Sequence, residues 1–378
     1  MWQLSNRLYL KITCLGFVAL FAGWEGCSGH PASPADSKLY DAAYSIEAPL
    51  GLDLQSASYH VPKDNPLTEA KVKLGKRLFF EKALSADGTL ACASCHVPEK
   101  GFADPQRFSV GIRGQKGGRQ APAVLNRVFS RKQFWDGRAA SLEEQALGPM
   151  MNPIEMGHPN VQTILRYLQN EASYVAAFKE AFPEQSGAIS DVINELTLSR
   201  AIASFERTIL AGNSPYDRFA QNDDKSAMSE AAFRGYQLFL GKAGCASCHV
   251  GFNFTDESYH NLGTAALAKK PDLGRFEVSK LDGHQSAFKT PTLREVANTA
   301  PYMHDGSFKT LEEVVAFYNQ GGRLNPALSP KIKPLGLTAP EQKDLIEFLK
   351  ALSGEVVWYG KADDMQRAAH KSDVKPTM

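Results

Sequence analysis

The chain has 378 residues, 43% of them hydrophobic, and its 42 basic and 41 acidic side chains leave a formal net charge of +1. That length suffices for two domains of ordinary size, each with its own core. A charge so nearly balanced excludes the broad basic face that nucleic-acid binding requires.

Residues 1–27 read as an export signal. Arg7 and Lys11 form a positive start, and Ile12 to Trp24 is an apolar, uncharged run, shorter than the ~20 residues of a spanning helix. Cys27 is a candidate lipidation site and the one feature that would tie the chain to a membrane, although Trp24-Glu25-Gly26 is a poor lead-in. Residues 28–45 read as a flexible leader, rich in Pro, Ser and Ala from Gly29 to Lys38. The periplasm is the expected location.

An internal repeat organises the rest. A helical segment with Gly75-Lys76-Arg77-Leu78-Phe79 precedes Cys92-Ala93-Ser94-Cys95-His96. A second, with Gly235-Tyr236-Gln237-Leu238-Phe239, precedes Cys245-Ala246-Ser247-Cys248-His249. Phe102-Ala103-Asp104 after the first motif echoes Phe254-Thr255-Asp256 after the second. Each half closes on an amphipathic helix. Ser190 is the expected N-cap of the first, with Ile193, Leu196, Ile202 and Phe205 as its apolar stripe. Thr338-Ala339-Pro340-Glu341 is a capping box for the second, with Leu345, Phe348, Leu349 and Leu352 on its buried face. The halves are expected to join near residues 211–228, where Gly212-Asn213-Ser214-Pro215 opens the stretch. Strand signals are few. The fold class is mainly α: two cytochrome c-like domains with long loops, over 46–215 and 216–360, and a tail over 361–378.

The spacing CxxCH has a chemical reason. Two thiols bond the vinyl groups along one edge of a haem, and the following imidazole ligates the iron. Two such motifs at domain spacing in an exported chain imply two haem c groups, with His96 and His249 as proximal ligands. All cysteines outside Cys14 and Cys27 are then committed, so the mature body has no spare disulfide pair. Whether each iron is open or capped decides between reaction and electron transfer. The other histidines are His30, His60, His158, His260, His284, His304 and His370, and none sits in a motif that identifies a ligand.

The segment Phe134-Trp135-Asp136-Gly137-Arg138, followed by Gln145, Pro149 and Glu155-Met156-Gly157, closely resembles the bacterial di-haem cytochrome c peroxidase and MauG superfamily. So do Thr290-Pro291-Thr292-Leu293-Arg294 and Thr299-Ala300-Pro301-Tyr302-Met303-His304-Asp305-Gly306. The likeness runs from about Val61 to Leu352. It implies a peroxidatic first haem, an electron-transfer second haem and a calcium ion between them. It places Gln145 and Glu155 in the distal pocket of the first haem, with Pro149 shaping that pocket. Glu155 can move a proton between the peroxide oxygens as base and then acid, and Gln145 can orient the bound peroxide. Trp135 matches a tryptophan that couples the two haems. Thr299 and Pro301 match carbonyl ligands of the calcium, and Gln120 stands where the family has Asn, one methylene longer.

Two departures matter. Cytochrome c peroxidases cap the resting first haem with a loop histidine, and the matching position here is Ile112. The resemblance then implies an open first haem that needs no reductive activation. Peroxidases also place a Met ligand fourteen residues after the His of Tyr-x-His-Asp-Gly, where this chain has Tyr318. MauG-type enzymes use tyrosine there, a hard anionic donor that favours oxidised iron, whereas a thioether favours reduced iron. Met303 is an alternative ligand, but its neighbour His304 fills the motif position.

The expected function is a hydrogen-peroxide-dependent di-haem oxidoreductase of MauG type. It would store oxidising equivalents over both haems and oxidise a substrate at a distance, such as a side chain on a protein that it matures. The alternative is a cytochrome c peroxidase that reduces peroxide with electrons from a small cytochrome or cupredoxin. A third reading is a di-haem electron carrier without turnover. The tryptophans are Trp2, Trp24, Trp135 and Trp358, so none lies near the second CxxCH in sequence, and tyrosines such as Tyr236 or Tyr259 could serve as relays there.

Overall fold

The computed structural model describes residues 43–267, 270–362 and 364. The expected export signal over 1–27, Cys27, most of the expected leader over 28–45 and most of the tail over 361–378 lie outside the described residues. Helices of seven residues or more are numbered α1 Glu69–Phe79, α2 Leu142–Met151, α3 Val161–Asn170, α4 Ala172–Ala181, α5 Glu195–Glu206, α6 Pro215–Gln221, α7 Glu230–Leu240, α8 Leu311–Asn319 and α9 Ala339–Lys350. The strands are β1 Leu210–Gly212, β2 Tyr259–His260, β3 Phe288–Lys289 and β4 Glu355–Val357. They pair antiparallel as β1 with β4 and β2 with β3. The protein is mainly α. No helix among the described residues is long and apolar enough to cross a membrane.

The Gly-x-x-Leu-Phe repeat is a helix-crossing device. α1 starts at Thr68, whose side chain accepts the Lys71 N–H, and Lys76 and Arg77 in its last turn complement the helix dipole. A Cβ on Gly75 would lie 1.9 Å from the Ala201 carbonyl oxygen of α5. A Cβ on Gly235 of α7 would lie 1.9 Å from the Asp344 carbonyl oxygen of α9. Each glycine therefore lets a first helix sit flush against a closing helix, once per half.

The closing helices differ in how well their sequence announces them. α9 has the expected box: the Glu341 carboxylate accepts the Thr338 N–H at 2.7 Å, and Leu345, Phe348 and Leu349 are buried, as is Leu352 just beyond the helix. α5 does not begin where expected. Ser190 is exposed within a one-turn helix, Ile189–Val192, and the cap of α5 is Asn194, which accepts the Thr197 N–H at 3.0 Å. The true stripe is Leu198, Ala201, Ile202 and Phe205, and Leu196 is left 50% exposed. Asn194 wins because the Thr197 hydroxyl oxygen accepts the Asn194 N–H in return, closing a reciprocal box that Ser190 lacks.

The stretch 211–228 is not a free linker. Its start lies in buried β1, and Pro215–Gln221 is α6. Asp217 of α6 forms a buried pair with Arg294 at 2.8 and 3.0 Å, and Arg294 also donates to the Gly51 carbonyl. One apolar cluster joins α1 to α2–α5 through Leu74, Leu78, Ile164, Phe178 and Ile202. A second joins α7, α8 and α9 through Phe239, Val315, Leu345 and Phe348. A third holds Val72, Phe79, Phe102, Phe129 and Phe205, and the late residues Val356, Val357, Trp358 and Tyr359 pack onto it.

Candidate functional site

The two CxxCH motifs are built alike. After each histidine the chain turns through a phenylalanine in the left-handed region, Phe102 at φ 53° and Phe254 at φ 51°. That turn aims a backbone carbonyl at the imidazole: His96 Nδ1 bonds Phe102 O at 3.2 Å and His249 Nδ1 bonds Phe254 O at 2.9 Å. With Nδ1 so engaged, Nε2 of each ring remains as an iron donor of fixed orientation. Burial lowers the pKa of both imidazoles, which favours the neutral, ligating form.

Both motifs line one cavity of about 830 Å³. Val124, Leu142, Ala146, Phe239, Val315 and Leu349 supply apolar walls. Two sulfurs and one oriented imidazole at each end of a shared apolar space fit two covalently held haems.

Gln145, Pro149 and Glu155 all face this cavity. Ser141 caps α2, accepting the Glu144 N–H at 3.1 Å, and Gln145 and Pro149 lie along that helix. Beyond Pro149 the chain folds back, with Met156 N–H bonding the Pro149 carbonyl at 3.2 Å, and this return presents Glu155. The Glu155 carboxylate accepts from Asn152 Nδ2 at 2.8 Å. Burial holds its pKa above the ordinary carboxylate value, against the opposing pull of Arg138 and Asn152. Its charge reaches Cys92 and Cys95, so it belongs to the first motif. A smaller cavity of about 410 Å³ shares Glu155, Pro149 and Arg138 with the main one.

Ile112 is buried, its side chain lies against Gly157, and its N–H donates to the Glu155 carbonyl at 2.9 Å. An apolar side chain thus occupies the position that the resemblance aligns with a capping histidine. Other histidines on the cavity wall are engaged. His260 contacts Asp256 at 3.2 Å and Ser329 at 3.3 Å, and His304 stacks on Phe288 with ring centroids 3.6 Å apart. His158 is buried and bonded to the Leu84 backbone, and it is not among the residues that line the cavity.

Tyr318 reaches the cavity from α8, which Thr310 and Glu313 cap reciprocally. Burial raises its hydroxyl pKa, and charge at Cys245 and Cys248 adds to this, which places the phenol beside the second motif. Met303 also lines the cavity. Trp135 lies in the same wall and is pinned from two segments. Its Nε1 donates to the Gln120 carbonyl at 2.8 Å, and its own carbonyl accepts the Lys289 N–H at 2.8 Å. Gln120, Thr299 and Pro301 are cavity residues too. Gln120 Nε2 donates to the Asp104 carbonyl at 3.2 Å, and its amide oxygen is a hard donor of the kind that suits calcium.

Several cavity residues carry no sequence signal. Arg119 bridges Asp136 at 2.6 Å and Asp272 at 2.7 Å. Lys289 contacts Ser130 Oγ, the Lys132 carbonyl and Glu257, and burial brings its pKa down to about 7. Glu206, at the end of α5, is pushed up to about 8 by burial. The partners of Arg119 and Lys289 are remote in sequence, whereas the nearest opposite charge to Glu206 is the adjacent Arg207. Cys248, Asp256 and His260 approach within 4.8 Å of one another, but the Cys248 sulfur is committed to haem attachment.

A mainly α chain whose paired CxxCH motifs open onto one cavity, with a carboxylate and an amide at one end, defines a di-haem c-type oxidoreductase. Residues 69–225 match the family model described as di-haem cytochrome c peroxidase. The chain is 39% identical over 331 residues to methylamine utilization protein MauG of Methylorubrum extorquens, covering 87% of this chain and 90% of that one. It is 35% identical over 333 residues to cytochrome c551 peroxidase of Pseudomonas aeruginosa, covering 86% and 89%. A crystal structure of a MauG-like protein associated with microbial copper homeostasis matches with a TM-score of 0.73 at 34% identity, covering 80% of this chain and 96% of that one. The chain belongs to the di-haem cytochrome c peroxidase and MauG family. It is an oxidoreductase of peroxidase type, and the family carries two c-type haems.

Proposed function

We propose that this protein is an exported, periplasmic enzyme of the MauG branch, one that uses hydrogen peroxide to oxidise a side chain of a partner protein. The observation that carries the reading is the pairing of a buried Ile112 near Glu155 with Tyr318 beside Cys245 and Cys248. When bound, the haems supply irons that accept peroxide and hold its two oxidising equivalents. The protein residues do the rest. Glu155, partly desolvated, takes a proton from one peroxide oxygen and returns it to the departing one. Gln145 donates a hydrogen bond that fixes the peroxide, and Pro149 turns the chain so that Glu155 reaches it. The smaller cavity at Arg138 and Asn152 offers peroxide a route to Glu155. Trp135, fixed at both its ring nitrogen and its carbonyl, couples the two haem sites. Gln120, Thr299 and Pro301 would hold a calcium ion that stiffens this junction.

A cytochrome c peroxidase using a small cytochrome or cupredoxin is the second reading, and Met303 on the cavity wall is what favours it. Optical and EPR spectra of the resting ferric protein, before and after one equivalent of peroxide, separate the two. The MauG reading expects one high-spin and one low-spin haem at rest and a high-valent state shared by both after peroxide. A methionine-type near-infrared band, with turnover only after prior reduction, would establish the second reading instead.

A further inference from the structure

We propose that Trp358 is a surface relay through which the haem held by His96 draws single electrons from a donor outside the protein. This rests on the family reading that peroxide oxidises that haem, and is independent of which residue ligates the second. Phe102 is the first link. Its carbonyl bonds His96 Nδ1 at 3.2 Å, and its fully buried ring meets the Trp358 indole edge-on, with centroids 5.2 Å apart and planes at 80°. Trp358 is only partly buried. A single aromatic contact therefore separates the histidine's carbonyl partner from a side chain that reaches the surface.

The surroundings of the indole suit it to give up an electron together with a proton. Trp358 Nε1 donates to Asp364 Oδ2 at 3.2 Å, and Lys76 holds Asp364 in place at 2.9 Å. Lys361 lies 5.2 Å over the ring. A cation there disfavours a positively charged indole by simple repulsion, so electron loss is tied to transfer of the N–H proton to Asp364. The comparable path at the second histidine runs from Phe254 to Tyr216, with centroids 5.3 Å apart, and on to Tyr236 at 5.4 Å. There the Tyr216 hydroxyl bonds Tyr236 instead of a carboxylate, and burial holds its pKa well above the ordinary phenol value. The first path is the better proton-coupled exit.

In each step Trp358 gives one electron to the haem that peroxide has oxidised, and its Nε1 proton passes to Asp364. The neutral indolyl radical then takes one electron from the outside donor and recovers its proton from Asp364. Two such steps deliver two electrons, which with two solvent protons reduce one hydrogen peroxide to two waters.

The test uses full-length holoprotein as wild type, Trp358→Phe and Trp358→Tyr, freeze-quenched with excess peroxide and no donor and read by EPR. The wild type, labelled with deuterated tryptophan, is expected to give an indolyl radical whose signal narrows with the label. That signal should fall at least tenfold in Trp358→Phe and be replaced by a tyrosyl signal in Trp358→Tyr. Oxidation of a reduced small cytochrome should fall at least tenfold in Trp358→Phe and recover in part in Trp358→Tyr, with the resting two-haem spectrum of all three proteins alike. An equal radical signal and an equal donor rate in Trp358→Phe overturn the relay while leaving the peroxidase reading standing. A wild-type haem spectrum that peroxide does not alter overturns both.

Discussion

If Glu155 is the base of the proposed reaction, its own environment sets the pH range of that reaction. The carboxyl must be ionised to accept the first proton, and burial shifts its ionisation above the ordinary carboxylate range. Activity is therefore retained above that raised pKa and lost as pH falls through it. The acid limb of kcat/KM for peroxide should lie above the position expected for a solvent-exposed glutamate. Glu155→Gln keeps the shape and the Asn152 contact but removes the base. It should lower kcat/KM by roughly 10²–10⁴-fold and abolish that limb. A variant that keeps the limb would assign the proton transfer to another group. That Glu155, Gln145, Trp135 and Tyr318 share one cavity was legible because each sits at a fixed offset within a motif. Arg119, Lys289 and Glu206 were not. Their chemistry comes from partners that folding alone brings close, such as Asp272 for Arg119 and Glu257 for Lys289.

The repeated helix pair carries its instruction at a single position in each half. Gly235 touches the backbone of α9 where no Cβ can fit, since the Asp344 carbonyl oxygen would be 1.9 Å away and Phe348 Cβ 2.8 Å away. Backbone cannot yield as a flexible side chain does, so Gly235→Ala must push α7 off α9. The expected cost is about 1–3 kcal/mol, measured by denaturant unfolding of the holoprotein, with a similar loss for Gly75→Ala at the α1–α5 crossing. Gly283 has open space around it, and Gly283→Ala should stay within about 0.5 kcal/mol of wild type. The Gly-x-x-Leu-Phe repeat was visible in the sequence, but its purpose was not, because the residues that demand glycine lie on another helix. The start of α5 shows the opposite failure. Ser190 and Asn194 are both good caps in isolation, and the Asn194–Thr197 reciprocal bonds decide between them.

The two halves repeat each other in motif and helix pairing, yet the end of the chain does not respect that division. The second apolar cluster is complete by Leu352, whereas Val356, Val357, Trp358 and Tyr359 pack onto the cluster around Phe79 and Phe102. β4 also pairs with β1, matching Leu210 to Val357 and Gly212 to Glu355. Periodicity within each half could not reveal this, because the strand pair is three residues long and joins a segment from the middle of the chain to one near its end. The last strand therefore acts as a strap that stabilises the first haem site from the far end of the chain. A chain ended after Gly354 should fold its second haem site normally but expose part of the apolar surface around Phe102. Losing a few partly buried side chains at about 1.5–3 kcal/mol for each full equivalent should lower the melting temperature by roughly 5–10 °C. The loss should appear first in the optical transition of the high-spin haem expected at His96, ahead of the low-spin one. Simultaneous melting of both haems at the wild-type temperature would show that the strap contributes nothing to the first site.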